Sequence, residues 1–183
     1  MTGIVVDASV ALAWFFPDEA SEYADGVLVA LAGRTVIVPA VWVLEITNAV
    51  LVAERRKRVK QPDVRRFVEL LGGLTIVEQS QTVADTVSNV LPLAREYDLS
   101  AYDAAYLDVA VRQKAPLATL DSALQKAGRS AGIKIFKARF CATMTNSREH
   151  DTWQPGSCAA CDFGRRSSWF PSVRLRTFSK HPH

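Results

Sequence analysis

The sequence predicts an α/β sandwich of three layers, with helices on both faces of a mostly parallel sheet, and two observations predict it. Short β-branched apolar runs alternate with segments of helical periodicity through residues 3–136. The runs are apolar without polar alternation, as in strands buried on both faces. All three cysteines, Cys141, Cys158 and Cys161, lie in the last quarter of the 183-residue chain, so the body has no disulfide framework and must be held by packing.

Taken in order, Gly3-Ile4-Val5-Val6-Asp7 is a strand ending in an acid. Ser9 to Phe16 reads as a short helix stopped by Pro17. Asp18 and Glu19 suit a helix N-terminus and Gly33 a helix end, so a second helix is expected from Asp18 to about Ala32. Thr35-Val36-Ile37-Val38-Pro39 is the next strand. Residues 41–56 form a long helix, apolar nearly all round and therefore expected to be buried, in which Glu45 is out of place. Pro62 opens an amphipathic helix that Gly72-Gly73 closes, and Leu74 to Val77 is a third strand. Residues 82–98 are helical, with Pro92 expected to start a new helix, because mid-helix it costs about 3 kcal/mol. A helix begins at Ser100 or Ala101, a short strand runs Pro116 to Thr119 before Asp121, Ser122 to about Arg129 is helical, and Ile133 to Phe136 is a last strand.

A hydrophobic content of 49% places the chain among globular proteins. Residues 1–137 carry 15 basic against 16 acidic side chains, and residues 138–183 carry 7 against 3. The overall basicity thus belongs to the C-terminal stretch and says little about what the body binds. That stretch lacks periodicity and places Trp153 and Trp169 in polar surroundings, so 138–183 is expected to be a disordered or irregular extension to a domain spanning 1–137. Cys158 and Cys161, with Cys141 and His150, match no zinc module by spacing. No apolar stretch reaches the roughly 20 residues of a membrane span and no secretory leader is evident. The expected location is the cytoplasm, with no membrane partner.

In open parallel sheets the active crevice lies at the carboxyl ends of the strands. Asp7 closes the first strand, Asp121 follows the fourth, and Glu45 and Asp103 sit near the starts of helices that can be entered from the same edge. Clustered carboxylates repel one another unless they are protonated or neutralised, and an all-oxygen set suits Mg²⁺ or Mn²⁺ better than zinc. Asp7 and Asp121 have a second reading as helix N-caps, and Asp103 as a first-turn acid. Glu45 has no such alternative, since a charge on a buried helix needs a partner or a metal. Asn48 shares its face and is placed to orient a ligand water. Ser9 and Thr119, each two residues from an acid, are either supporting hydroxyls or backbone-bonding ones. Asp108 is expected to be solvated or supporting.

Four segments in order resemble the PIN-domain toxins, VapC type, of bacterial and archaeal toxin–antitoxin pairs. They are Ile4-Val5-Val6-Asp7-Ala8-Ser9-Val10-Ala11-Leu12, Leu44-Glu45-Ile46-Thr47-Asn48-Ala49, Ser100-Ala101-Tyr102-Asp103-Ala104-Ala105-Tyr106-Leu107, and Leu117-Ala118-Thr119-Leu120-Asp121. The resemblance implies a PIN-like fold and a metal-dependent endoribonuclease that halts translation by cutting a structured RNA. It also implies a cognate antitoxin that wraps the toxin and inserts a side chain into the acidic pocket, a homodimer, and contact with DNA only through the antitoxin.

A metal held by Asp7, Glu45, Asp103 and Asp121 would activate a water for in-line attack on a phosphodiester, leaving a 5′-phosphate and a 3′-hydroxyl. Residues 1–137 contain no histidine, which argues against histidine acid–base cleavage. Arg55, Arg56, Lys57, Arg58 and Lys60 read equally as a phosphate track or as a solvated, dipole-complementing helix end. Trp14, Phe15 and Phe16 read as core or dimer contacts. Phosphoacceptor domains also place acids at strand ends, but the dehalogenase-like class wants a second Asp where Ser9 stands, and a receiver wants paired early acids and a late lysine. A housekeeping PIN nuclease and a non-catalytic PIN-like interaction module remain the alternatives.

Overall fold

The computed structural model describes residues 3–138. The expected C-terminal extension, with its cysteines and His150, lies outside the described residues apart from Ala138. The strands are β1 (Ile4–Val6), β2 (Thr35–Pro39), β3 (Thr75–Gln79) and β4 (Leu117–Ala118). Helices α1 (Ala8–Phe15), α2 (Glu22–Ala30), α3 (Val41–Arg55), α4 (Gln61–Gly72), α5 (Val83–Tyr97), α6 (Ala101–Gln113) and α7 (Ser122–Ser130) alternate with them and flank the sheet.

The sheet runs β3-β2-β1-β4, all parallel, with Val5 opposite both Ile37 and Leu117. Ile4, Val5 and Val6 have no exposed surface, as the unalternating apolar run requires of the central strand. Tyr106, Leu107 and Ala110 of α6 are fully buried, and α6 packs across β1, β2 and β4. Val10, Ala11 and Ala13 bring α1 into the same core, and Phe15 stacks on Phe67 of α4 at 4.6 Å. Among the described residues no helix is long and apolar enough to cross a membrane.

Four expectations change. Helix α2 begins at Glu22 and not at Asp18, because the Ser21 hydroxyl accepts from the Ala24 N–H and caps it. Asp18 and Glu19 instead hold Arg58, at 2.6 and 2.9 Å. Pro92 lies inside α5, whose exposed side there leaves the carbonyl that loses its helix partner, that of Ser88, to water. Helix α3 buries only Trp42, Ile46 and Ala53, while Val43, Leu44 and Leu51 are exposed, so its apolar circumference is not core. Residues 133–136 make no full strand: Ile135 forms a single parallel bridge to Leu117.

Candidate active site

Strand order reverses direction at β1, since β2 and β3 extend to one side of it and β4 to the other. The crevice of such a sheet opens at the carboxyl ends of the strands flanking that reversal. Asp7 stands there. Its N–H donates to the Ala118 carbonyl at 2.9 Å, which locks the end of β1 to the end of β4. Asp7 is the residue before α1, yet its carboxylate makes no capping bond to that helix. Instead its Oδ2 accepts from the Ser9 hydroxyl at 2.5 Å and the Thr119 hydroxyl at 2.6 Å. Burial, with only 6% of the residue exposed, pushes the Asp7 carboxyl above its usual range; the two hydroxyls oppose that, as does the nearby Ser9 N–H, which stops short of capping geometry, and the charge of Asp103 adds to the rise.

Glu45 projects from the second turn of α3 and is half-buried. The Tyr106 hydroxyl of α6 donates to Glu45 Oε2. Burial raises the Glu45 carboxyl, the Tyr106 bond opposes the rise, and the charges of Asp7 and Asp103 reinforce it. The Tyr106 phenol is in turn held well above its ordinary value, first by burial and then by the Glu45 carboxylate it serves. Asp103 is reached because Ser100 starts α6: the Ser100 hydroxyl accepts from the Asp103 N–H at 3.1 Å and donates to Asp103 Oδ2 at 2.7 Å. Three of the four expected acids, Asp7, Glu45 and Asp103, therefore sit within one another's electric field.

Asp121 stands apart. Its Oδ1 accepts from the Leu124 N–H at 2.7 Å as the cap of α7, it is exposed, and its charge is not among those that raise Asp7 and Glu45. Its N–H donates to Thr119 Oγ1 at 2.9 Å, so Thr119 joins it to Asp7. Ser9 similarly accepts from the Leu120 N–H at 3.1 Å while donating to Asp7. Both hydroxyls thus take the two roles that the sequence left open, bonding backbone and acid at once. Asn48 is exposed and has no hydrogen-bond partner among the described residues.

The sequence reading missed Tyr106 and Ser100 as supports. Each lies three positions from Asp103 on the same helical face, the one signal that points to them. Asp108 is not solvated: only 3% exposed, it accepts from Arg112 Nε at 2.9 Å and from Gln81 Nε2 at 2.6 Å, tying α6 to the segment before α5. In the basic run, Arg55, Arg56, Lys57 and Lys60 are exposed at the end of α3 and in the turn after it, whereas Arg58 is committed to Asp18 and Glu19 and lies 4.0 Å over the Phe16 ring.

As placed, no three His, Cys, Asp or Glu side chains among the described residues stand close enough to hold a metal ion. Each of the three coupled carboxylates is turned onto a hydroxyl: Ser9 and Thr119 for Asp7, Tyr106 for Glu45, Ser100 for Asp103. The donor chemistry nonetheless fits a hard divalent cation. The donors are all oxygen, and the raised proton affinity of Asp7 and Glu45 is the strain that such a cation relieves.

A family model described as "PIN domain" matches residues 4–130. Among solved structures, the crystal structure of PAE2754 from Pyrobaculum aerophilum superposes with a TM-score of 0.53 at 24% sequence identity, covering 69% of this chain and 79% of that one, which shows a shared fold. No curated protein matches the chain.

Proposed function

The chain belongs to the PIN domain family, whose members are generally metal-dependent nucleases, and on that premise we propose that it is an endoribonuclease acting as the toxin of a toxin–antitoxin pair. The observation that carries the catalytic part is the coupling of Asp7, Glu45 and Asp103 at the carboxyl end of the sheet. Asp7 and Glu45, whose proton affinity is raised first by burial and then by neighbouring carboxylate charge, are poorly suited to a structural role and well suited to ligating Mg²⁺ or Mn²⁺ together with Asp103.

Asp7, Glu45 and Asp103 would hold the cation, with Asp121 on the rim of the same edge. When bound, such an ion supplies a water of lowered pKa and neutralises charge on the phosphodiester. The chain's own contribution is positional. Thr119 and Ser9 fix the Asp7 carboxylate from β4 and α1, Tyr106 fixes Glu45 from within the core, and Ser100 fixes Asp103 at the head of α6. Asn48, on the Glu45 face of α3, is free to orient a water.

The toxin role rests on the four ordered segments around these acids, and it brings a cognate antitoxin and a second copy of the chain as partners, DNA being met only through the antitoxin. Exposed Val43 and Leu44 on α3 and Val83, Val87 and Leu91 on α5 supply apolar surface for such contacts. The test is RNA cleavage by the purified chain. Cleavage is expected with Mg²⁺ or Mn²⁺, not in EDTA, and not by Asp7→Asn; cleavage that persists in EDTA would overturn the metal mechanism. Growth arrest on expression, relieved by Asp7→Asn, separates the toxin from a housekeeping nuclease.

A further inference from the structure

We infer that a basic cleft beside β4, lined by Tyr23, Gln125, Arg129, Lys134, Phe136 and Lys137, binds the phosphate backbone of single-stranded RNA alongside the Asp7 site. The inference rests on the nuclease reading above and adds where the substrate lies. The cleft measures about 800 Å³. Leu117 N–H donates to the Lys134 carbonyl at 3.0 Å and Phe136 N–H to the Leu117 carbonyl at 2.8 Å, so the lysine-bearing segment runs alongside β4. Strand β4 leads directly to Thr119, the residue that holds Asp7.

Two side chains connect the cleft wall to that point. Gln125 Nε2 donates to the Thr119 carbonyl at 3.0 Å. The Tyr23 hydroxyl donates to the Phe136 carbonyl at 3.0 Å, and its phenol lies within the field of Asp7. The cleft wall is therefore anchored on Thr119, the same residue that holds Asp7.

The charge is one-sided. Among the described residues that line the cleft, Arg129, Lys134 and Lys137 carry charge and no Asp or Glu does, and none of the three is paired with an acid among the described residues. Arg129 is steadied by the neutral Gln125 Oε1 at 3.0 Å, which leaves its charge uncompensated among the described residues. The contrast is Arg58, whose charge Asp18 and Glu19 already neutralise. Cations interleaved with Tyr23 and Phe136 are the pairing that single strands use, phosphates meeting charge and bases meeting rings, and this favours RNA over an acidic peptide.

The experiment measures binding of a fluorescent single-stranded RNA to the full chain by anisotropy in EDTA, across a salt series. Lys134→Glu with Lys137→Glu is compared with the same reversal at Arg55 and Arg56. The cleft variant is expected to lose roughly tenfold or more in affinity and to flatten the salt slope by about 1.4, from about 0.7 per phosphate contact. The neutral pair Lys134→Gln with Lys137→Gln should fall between it and the native chain. Both lysines are exposed, so unchanged melting curves are expected for the variants. A cleft variant that binds like the native chain, a larger loss at Arg55 and Arg56, or displacement of RNA by polyglutamate but no dependence of RNA affinity on the two lysines would each overturn the inference. Loss of binding in the cleft variant, alongside a native chain that cleaves no RNA with Mg²⁺ or Mn²⁺, would uphold the cleft and sink the nuclease reading instead.

Discussion

The Thr119 hydroxyl, at the end of β4, donates to Oδ2 of Asp7, at the end of β1, at 2.6 Å, and the same oxygen accepts from the Asp121 N–H at 2.9 Å. One fully buried atom thus orients the innermost acid and satisfies the backbone at the start of α7. Thr119→Val keeps the shape and removes both bonds, leaving a buried carboxylate and an N–H under-satisfied. The expected loss is about 1–3 kcal/mol in denaturant unfolding, with cleavage reduced; Thr119→Ser should retain most of both. Equal stability of the Val and Ser variants would show that the hydroxyl carries no weight.

Asp7 is expected to burden the fold when ionised. Burial holds its carboxyl above the ordinary 3.8, so between 3.8 and the raised value the folded chain keeps a proton that the unfolded chain has lost. The stability from that proton is present below pH 3.8 and disappears as pH rises through the folded value. Asp7→Asn cannot ionise. In EDTA its advantage over the native chain should grow through that window and persist at neutral pH, read as a higher Tm. Mg²⁺ should raise the native Tm and not that of the variant. An Asn variant melting below the native chain at neutral pH in EDTA would contradict this account.

Tyr106→Phe isolates the support of Glu45. The ring is fully buried and stays, while the hydroxyl that lowers the Glu45 proton affinity goes. Burial and the charges of Asp7 and Asp103 then act on Glu45 unopposed, so its carboxyl rises further. The acid limb of the pH–rate profile is expected to move to higher pH, with the rate at alkaline pH less affected. A uniform loss at every pH would instead indicate a packing defect. The cost in stability should be about 1 kcal/mol.

The sheet was legible because Ile4-Val5-Val6, Val36-Ile37-Val38 and Leu117-Ala118 carry no polar alternation, and their alternation with helical segments selects a parallel sheet covered on both faces. Asp7 was legible from its place at a strand end. What escaped the sequence were competitions between equally good local partners. Asp18 and Glu19 look like a helix start until Arg58, 40 and 39 positions away, claims them and Ser21 caps α2 instead. Asp121 serves both readings in composition, and the Leu124 N–H takes its carboxylate. Helix geometry turns Asp108 away from Asp103, and the face it reaches is that of Arg112 and Gln81 and not solvent. Helix α3 looked buried because apolar residues encircle it; in a single chain Leu44 is 69% exposed, a pattern that fits a helix meeting another protein.

The same reasoning applies to α5. Val83, Val87 and Leu91 recur every four positions and are 83%, 56% and 42% exposed, while Val90 alone of this helix is buried. A stripe of three large apolar side chains facing water is expected to close against a second copy of the chain. Val87→Lys with Leu91→Lys should therefore convert a dimer to a monomer in analytical ultracentrifugation. Because neither side chain supports the core of the single chain, the monomer's far-ultraviolet circular dichroism should be unchanged and its stability within about 0.5 kcal/mol per substitution. If Leu44→Lys dissociates the dimer and the α5 pair does not, the contact runs through α3. A native chain that sediments as a monomer at every concentration would remove the second copy altogether.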